Sequence, residues 1–250
     1  MQRLYDRALE NMEKSVHALA QRVPSPQRVP HKDSFVYRHV EKSIHQALVQ
    51  KLARLVSSLH AARLLMEHGF VQEQASLQRM LDEMQEDIAF LAFAIISDDV
   101  TPLHQRYLDA FFEEEFDAES ALASTQKRPM VPRKKIHAYI ARVMGAPLNP
   151  SRDTELYRTL SKAYSGYIHA ASPHIMDMYG GTPPKFNVRG VRGTERHSEH
   201  RADLWNYFYR SIIAFGFAAK AFGDEALFAE IHAFTLYFER LSGKDYAHDT

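Results

Sequence analysis

The chain has no cysteine among its 250 residues. That absence removes disulfides, thiolate nucleophiles, iron–sulfur clusters and Cys-ligated zinc together. It suits a reducing cytoplasm, because an extracellular protein of this kind would lack its usual staple. Charge of either sign is not in excess either: 31 Lys and Arg balance 31 Asp and Glu, a formal net charge of +0. No global field therefore draws the chain to nucleic acid or an anionic membrane, and any such contact has to come from a local patch. Long apolar runs are missing too. Residues 88–97 (IAFLAFAIIS) reach half of the ~20 residues a membrane span needs, and residues 211–222 (SIIAFGFAAKAF) are also too short and include Lys220. The first residues, MQRLYDRALENMEK, lack the apolar core of a signal peptide. A soluble, cytoplasmic protein with no membrane contact is the expectation.

Several chemical signatures are absent as well. No GxGxxG, Walker loop, GxSxG or kinase motif occurs. The 14 histidines invite a metal reading, but neither HExxH nor ExxH is present. Glu41 and His45 are four apart and unpaired; His197 and His200 are three apart without an evident third ligand. No metal and no cofactor are expected.

What the chain does contain is helix. The composition, 45% hydrophobic and 25% charged, is that of an ordinary globular protein long enough to bury a sizeable core. Leu4, Ala8, Met12, Val16 and Leu19 share one side of a helix over 3–21, which ends in a loop punctuated by Pro24, Pro26 and Pro30. A long helix is predicted from Ser34 to His68, closed by Gly69. The next, Val71 to Ser97, has the clearest amphipathic pattern, with Leu77, Leu81, Met84, Ile88, Leu91 and Ile95 in one narrow stripe. Thr101–Pro102 reads as an N-cap followed by proline, opening a helix to Phe116. Residues 117–132 pass from acidic to basic around Pro129 and Pro132 and mark a boundary or exposed linker. A short helix over 133–144, another over 153–171, and two closing helices over 194–222 and 224–241 complete the pattern. Residues 172–194, rich in Gly and Pro and without periodicity, read as a flexible loop, either functional or disordered. No sustained strand alternation and no internal repeat is seen, so one all-α domain over 1–250 is expected: a bundle of about seven to eight mostly antiparallel helices.

Candidate chemistry converges on 156–181 (LYRTLSKAYSGYIHAASPHIMDMYGG), where clustered Tyr and His run into the Gly/Pro-rich loop. Tyr157, Ser161, Tyr164 and Ile168 share one helical face; Arg158, Lys162, Ser165 and His169 share another. On the Val71 helix, Arg79, Glu83, Glu86 and Phe90 form a stripe opposite the apolar face. It is either a solvated face with an i,i+4 ion pair, or a face covered by a second layer of helices whose buried charges satisfy each other. In the second case Arg79, Glu83, Arg158, Tyr164 and His169 would line one pocket for a small polar or phosphate-bearing ligand, with His169 as proton donor or phosphate contact. Separately, Arg63–His68 and Arg192–His197 each show an Arg-x4-His spacing. Chance supplies about one such pair in a chain with this many Arg and His. Arg192–His197 sits at a loop-to-helix junction, the better place to meet phosphate.

Two resemblances follow. Residues 52–91 and 156–172, about a quarter of the chain, are similar to a bacterial all-helical family classed as a domain of unknown function. The matching positions are Arg79 with Glu83 or Glu86, and Tyr157, Leu160, Ser161, Tyr164 and His169. This likeness implies a helical fold and no particular activity. The Arg192–His197 spacing resembles HEPN-type helical ribonucleases. It implies metal-independent RNA cleavage of a toxin or phage-defence kind, with Arg192 and His197 flanking the scissile phosphate. A third reading is an interaction module that dimerises through the apolar C-terminal helices. The expected partners are thus the chain itself, a small polar ligand, or RNA, although no strong nucleic-acid signal is present.

Overall fold

Apolar side chains recurring every three to four residues put Leu4, Ala8, Met12 and Leu19 on one face of α1 (Gln2–Ala20), and all four are buried. The computed structural model describes residues 1–114, 118, 122–125, 130–145 and 164–243. After α1 come a hairpin of β1 (Gln27–His31) and β2 (Ser34–Arg38), then α2 (Ile44–His68), α3 (Val71–Ile96), α4 (Pro102–Phe111) and α5 (Arg133–Met144). Residues 164–168 form a helical turn ahead of the short α6 (Ser172–Met176), a two-residue hairpin of β3 (Tyr179–Gly180) and β4 (Lys185–Phe186), α7 (Glu195–Ala221) and α8 (Glu225–Ser242). The fold is an all-α bundle.

Side-chain pairs set the helix directions. Asp6 with Arg63 and Glu13 with His60 (2.7 Å) hold α1 antiparallel to α2. The Gly69–Phe70 corner turns α3 back along α2. His197 reaches Met66 at one end of α2 and His45 reaches Ala221 at the other, so α7 is antiparallel to α2. It follows that α7 runs parallel to α3, an arrangement the expectation of mostly antiparallel neighbours did not single out. The chain leaves α3 at one end of the bundle and enters α7 from the other. Gly223 (φ +64) then turns the chain into α8.

Helix ends follow local chemistry. Ser43 and Gln46 form a reciprocal capping box at α2, and Thr101 with His104 does the same at α4. Asp224 accepts from the Leu227 N–H at 3.0 Å, and Gly69, Gly145 and Gly243 close their helices in the left-handed conformation.

Four expectations need correction. The helix predicted from Ser34 starts at Ile44, because residues 27–38 form a hairpin with Val29 opposite Val36 and a turn at Lys32–Asp33. Lys32 takes φ +52 there, and alternating Phe35 and Tyr37 suit a pleated ribbon as well as a helix. The fold is therefore all-α with two small hairpins rather than free of strands. The helix predicted to reach Phe116 ends at Phe111. The loop over 172–194 carries α6 and the β3–β4 hairpin, and it is tied down where Val191 N–H donates to Gly69 O at 2.8 Å. Half of 117–132, and the first part of the helix expected over 153–171, lie outside the described residues.

Candidate functional site

The corner between α2 and α3 makes the clearest site. Gly69 has φ +79, and a β-carbon there would lie 2.4 Å from the backbone nitrogen of Arg192. Gly190, at φ +94, is equally confined: its β-carbon would meet His68 O at 2.4 Å. Two glycines thus let residues 190–192 lie flush against the end of α2. Gly69→Ala combines a left-handed conformation with overpacking and is expected to cost about 2–4 kcal/mol in guanidinium denaturation, with amides of 190–193 exchanging first.

That docking brings the two Arg-x4-His pairs together. Arg63, His68, Arg192, His197 and Arg201, with Glu67, line a single open cleft of about 710 Å³ between α1, α2 and the start of α7. Arg63 is tied to Asp6 and to Glu67 (3.1 Å), so its charge is largely answered. Arg192 and Arg201 are exposed and have no carboxylate partner among the described residues. On a chain with no net charge, this is a local cationic surface.

The two histidines of the cleft differ. His68 is exposed. His197 is buried, its Nε2–H donating to Met66 O at 2.6 Å while Nδ1 accepts from the Gly193 N–H at 3.3 Å. Both ring nitrogens are spent on backbone, so in this arrangement His197 pins the start of α7 to the end of α2. It positions Arg192, and for the place beside a scissile phosphate expected of it His197 has no free ring nitrogen. Thr194 caps the same helix, accepting from His197 N–H and donating to Val191 O at 2.7 Å.

Among the described residues no hydrogen bond or ion pair joins the residues expected to line a pocket between α3 and 153–171 across the two segments. Arg158 lies outside the described residues. Arg79 and Glu83 pair with each other at 3.3 Å on a half-exposed face, the solvated arrangement. His169 is exposed, and among the described residues no hydrogen bond or ion pair joins it to Arg79 or Glu83. Tyr164 turns instead toward α7, accepting from the Tyr207 hydroxyl at 2.8 Å, near Asp82 and Arg210, which are themselves ion-paired. Burial raises the pKa of Asp82, Tyr164 and Tyr207 above their ordinary values.

The lower half of the same α3 stripe is covered. Glu86 meets Arg133 and His137 (2.8 Å) of α5, and its neighbour Asp87 meets Arg133 and Lys51 (2.6 Å). Burial works to raise both carboxyl pKa values. For Glu86, the His137 hydrogen bond and the Arg133 charge outweigh it; for Asp87, the Lys51 and Arg133 charges do, so both are held below the ordinary range. Phe90 is fully buried beside His104, Tyr107 and Tyr139.

Sequence reading missed a set of glutamines. Gln74, Gln78 and Gln85 share one arc of α3 and are buried. Gln85 donates to Tyr207 O (3.2 Å) and Ser211 Oγ (2.9 Å), whereas the amides of Gln74 and Gln78 have no partner among the described residues. The readable signal was polar residues recurring at helical spacing beside the apolar stripe.

Among the described residues no group of three His, Asp or Glu is placed to hold a metal ion, and no helix is long and apolar enough to cross a membrane. No family model, curated protein or solved structure matches the chain.

Proposed function

We propose that the protein binds a phosphate-bearing ligand in the cleft between the end of α2 and the start of α7. Arg192 and Arg201 supply the guanidinium forks, with Arg63 and His68 on the wall. The observation that carries this reading is convergence: two Arg-x4-His pairs more than a hundred residues apart in the chain line one cleft, and two of its arginines lack a carboxylate among the described residues. A guanidinium presents parallel N–H donors that match two phosphate oxygens. The cleft is open on one side, which suits a strand or a large phosphate ester.

The ribonuclease reading concerns the same cleft. With both nitrogens of His197 committed to backbone, any proton transfer to a ribose 2′-hydroxyl or a leaving oxygen would fall to His68, the exposed histidine there. Arg192, positioned by His197, would neutralise the phosphate. The reading offered for 71–97 with 153–171 rests on fewer formed contacts, since Arg158 lies outside the described residues.

Titrating a labelled single-stranded RNA and, separately, pyrophosphate into the protein tests the reading. Replacing Arg192 and Arg201 together by Ala is expected to weaken binding at least tenfold. It should also reduce the slope of log affinity against log salt by about two, one per phosphate contact. Wild-type protein that binds neither probe at low salt would overturn the assignment. Cleavage that survives His68→Ala would remove the ribonuclease variant of it.

A further inference from the structure

Helix α8 is rich in apolar side chains, yet only Phe238 and Glu239 of its 18 residues are buried. Along it, between α7 and α8, runs a groove of about 400 Å³ lined by Ile213, Phe217, Phe228, Ile231 and Leu236. Leu236 on its rim is 50% exposed. Beside the groove, Glu225, Ala229, His232, Leu236 and Arg240 follow one another at spacings of four, three, four and four, and all five are exposed. That spacing keeps them on one outward stripe of the helix. The stripe ends in one charge of each sign and carries Leu236 between them, and the groove beside it adds the apolar side chains of Ile213, Phe217, Phe228 and Ile231.

We propose that this face pairs with the same face of a second copy of the chain, α8 lying antiparallel to α8 about a two-fold axis at His232 and Ala233. The charge order selects that partner and direction. With the axis there, Glu225 of each copy stands opposite Arg240 of the other, so one complementary pair occurs twice. Leu236 stands opposite Ala229, a large side chain over a small one, which allows close helix approach. Parallel pairing would set glutamate against glutamate and arginine against arginine. Glu225 also has Lys220 at 2.6 Å within its own chain, and Arg240 lies over the ring of Tyr237 at 5.9 Å, so both charges are already held near the stripe. The groove beside Leu236 extends the contact onto α7 through Phe217 and Ile213. An interface built mainly from one helix pair is small, and a dimer at micromolar rather than nanomolar concentrations is expected.

The cysteine-free chain makes the test clean. Ala233→Cys introduces a single thiol next to the axis, close enough to its own copy to form a disulfide on mild oxidation. Ala226→Cys is the control, because its two copies would lie about 20 Å apart along the helices at 1.5 Å per residue. Sedimentation equilibrium should show a dimer that Leu236→Glu abolishes. Glu225→Arg alone and Arg240→Glu alone should each weaken it about tenfold, and the two together should restore it. Unchanged far-UV circular dichroism confirms that these exposed positions leave the fold intact. A monomer at every concentration up to the solubility limit would overturn the proposal. So would a dimer indifferent to Leu236→Glu, equal cross-linking at 226 and 233, or failure of the charge swap to restore association. Capture of a different protein by this face in a chain that stays monomeric would equally count against it.

Discussion

Arg133→Met is expected to cost about 3–5 kcal/mol of folding stability, read as a lower midpoint in urea denaturation at neutral pH. Arg133 of α5 bridges two carboxylates of α3, Glu86 and Asp87, whose side chains are only 12% and 9% exposed. Removing it leaves Asp87 with Lys51, and Glu86 with His137, in a setting that disfavours charge. Breaking one side of a buried ionic network costs more than the network's net contribution, because the remaining charges stay desolvated. The pH dependence distinguishes this from simple loss of packing. In the intact protein both carboxyl groups are held below their ordinary values, so their stabilisation is fully present above about pH 4 and is lost as pH falls through the lower folded values. In the variant, burial acts with less opposition and the folded pKa values rise. The gap between wild type and Arg133→Met should therefore narrow as pH falls toward that range. A gap that stays constant as pH falls from 7 through the range below about 4, where the wild-type carboxylates titrate, would show that Arg133 acts through packing alone.

Leu81→Ala is expected to cost about 2–5 kcal/mol, checked by the same denaturation series. Leu81 is fully buried on α3, in the stripe that also carries Met84, Ile88 and Leu91; Leu77 packs against the core while partly exposed. α3 is sandwiched between α2 and α7, two long helices that cannot both move inward to fill the space left by an isobutyl group. A loss below about 0.5 kcal/mol would mean that the bundle collapses around the site.

These two positions mark the line between what was readable in the residues and what was not. Leu81 belongs to a period-3.6 pattern, and burial of such a stripe follows once the segment is a helix in water. The same holds for α1, for the caps at Thr101 and Asp224, and for the helix-closing glycines at 69, 145 and 243, because each depends on neighbours within one turn. The hairpin at 27–38 was not readable as such. Its short alternation also fits a helical extension of α2, and what separates the two is pairing across a turn.

The Arg79–Glu83–Glu86–Phe90 stripe shows the limit most clearly. Its spacing alone left both a solvated and a covered face open. The structure divides it: Arg79 and Glu83 remain a half-exposed pair, while Glu86 and Phe90 lie beneath α5 and α4. The partner that decides this, Arg133, is 47 residues from Glu86 in the chain, and no local rule connects them.

What the sequence determined by itself is the class of fold and the inner faces of its helices, because helix formation and apolar burial are set by periodicity and by contacts within one turn. It also determined the want of thiol chemistry and of any excess charge, since composition needs no folding to act. Only the tertiary structure decided that His197 would spend both ring nitrogens on backbone, and that Arg63, Arg192 and Arg201 would share a cleft. Only it left Leu236 and Arg240 of α8 facing outward. Each of these depends on which residues from distant turns arrive at the same few ångströms, and that is settled by helix packing, which the order of residues along one helix does not contain.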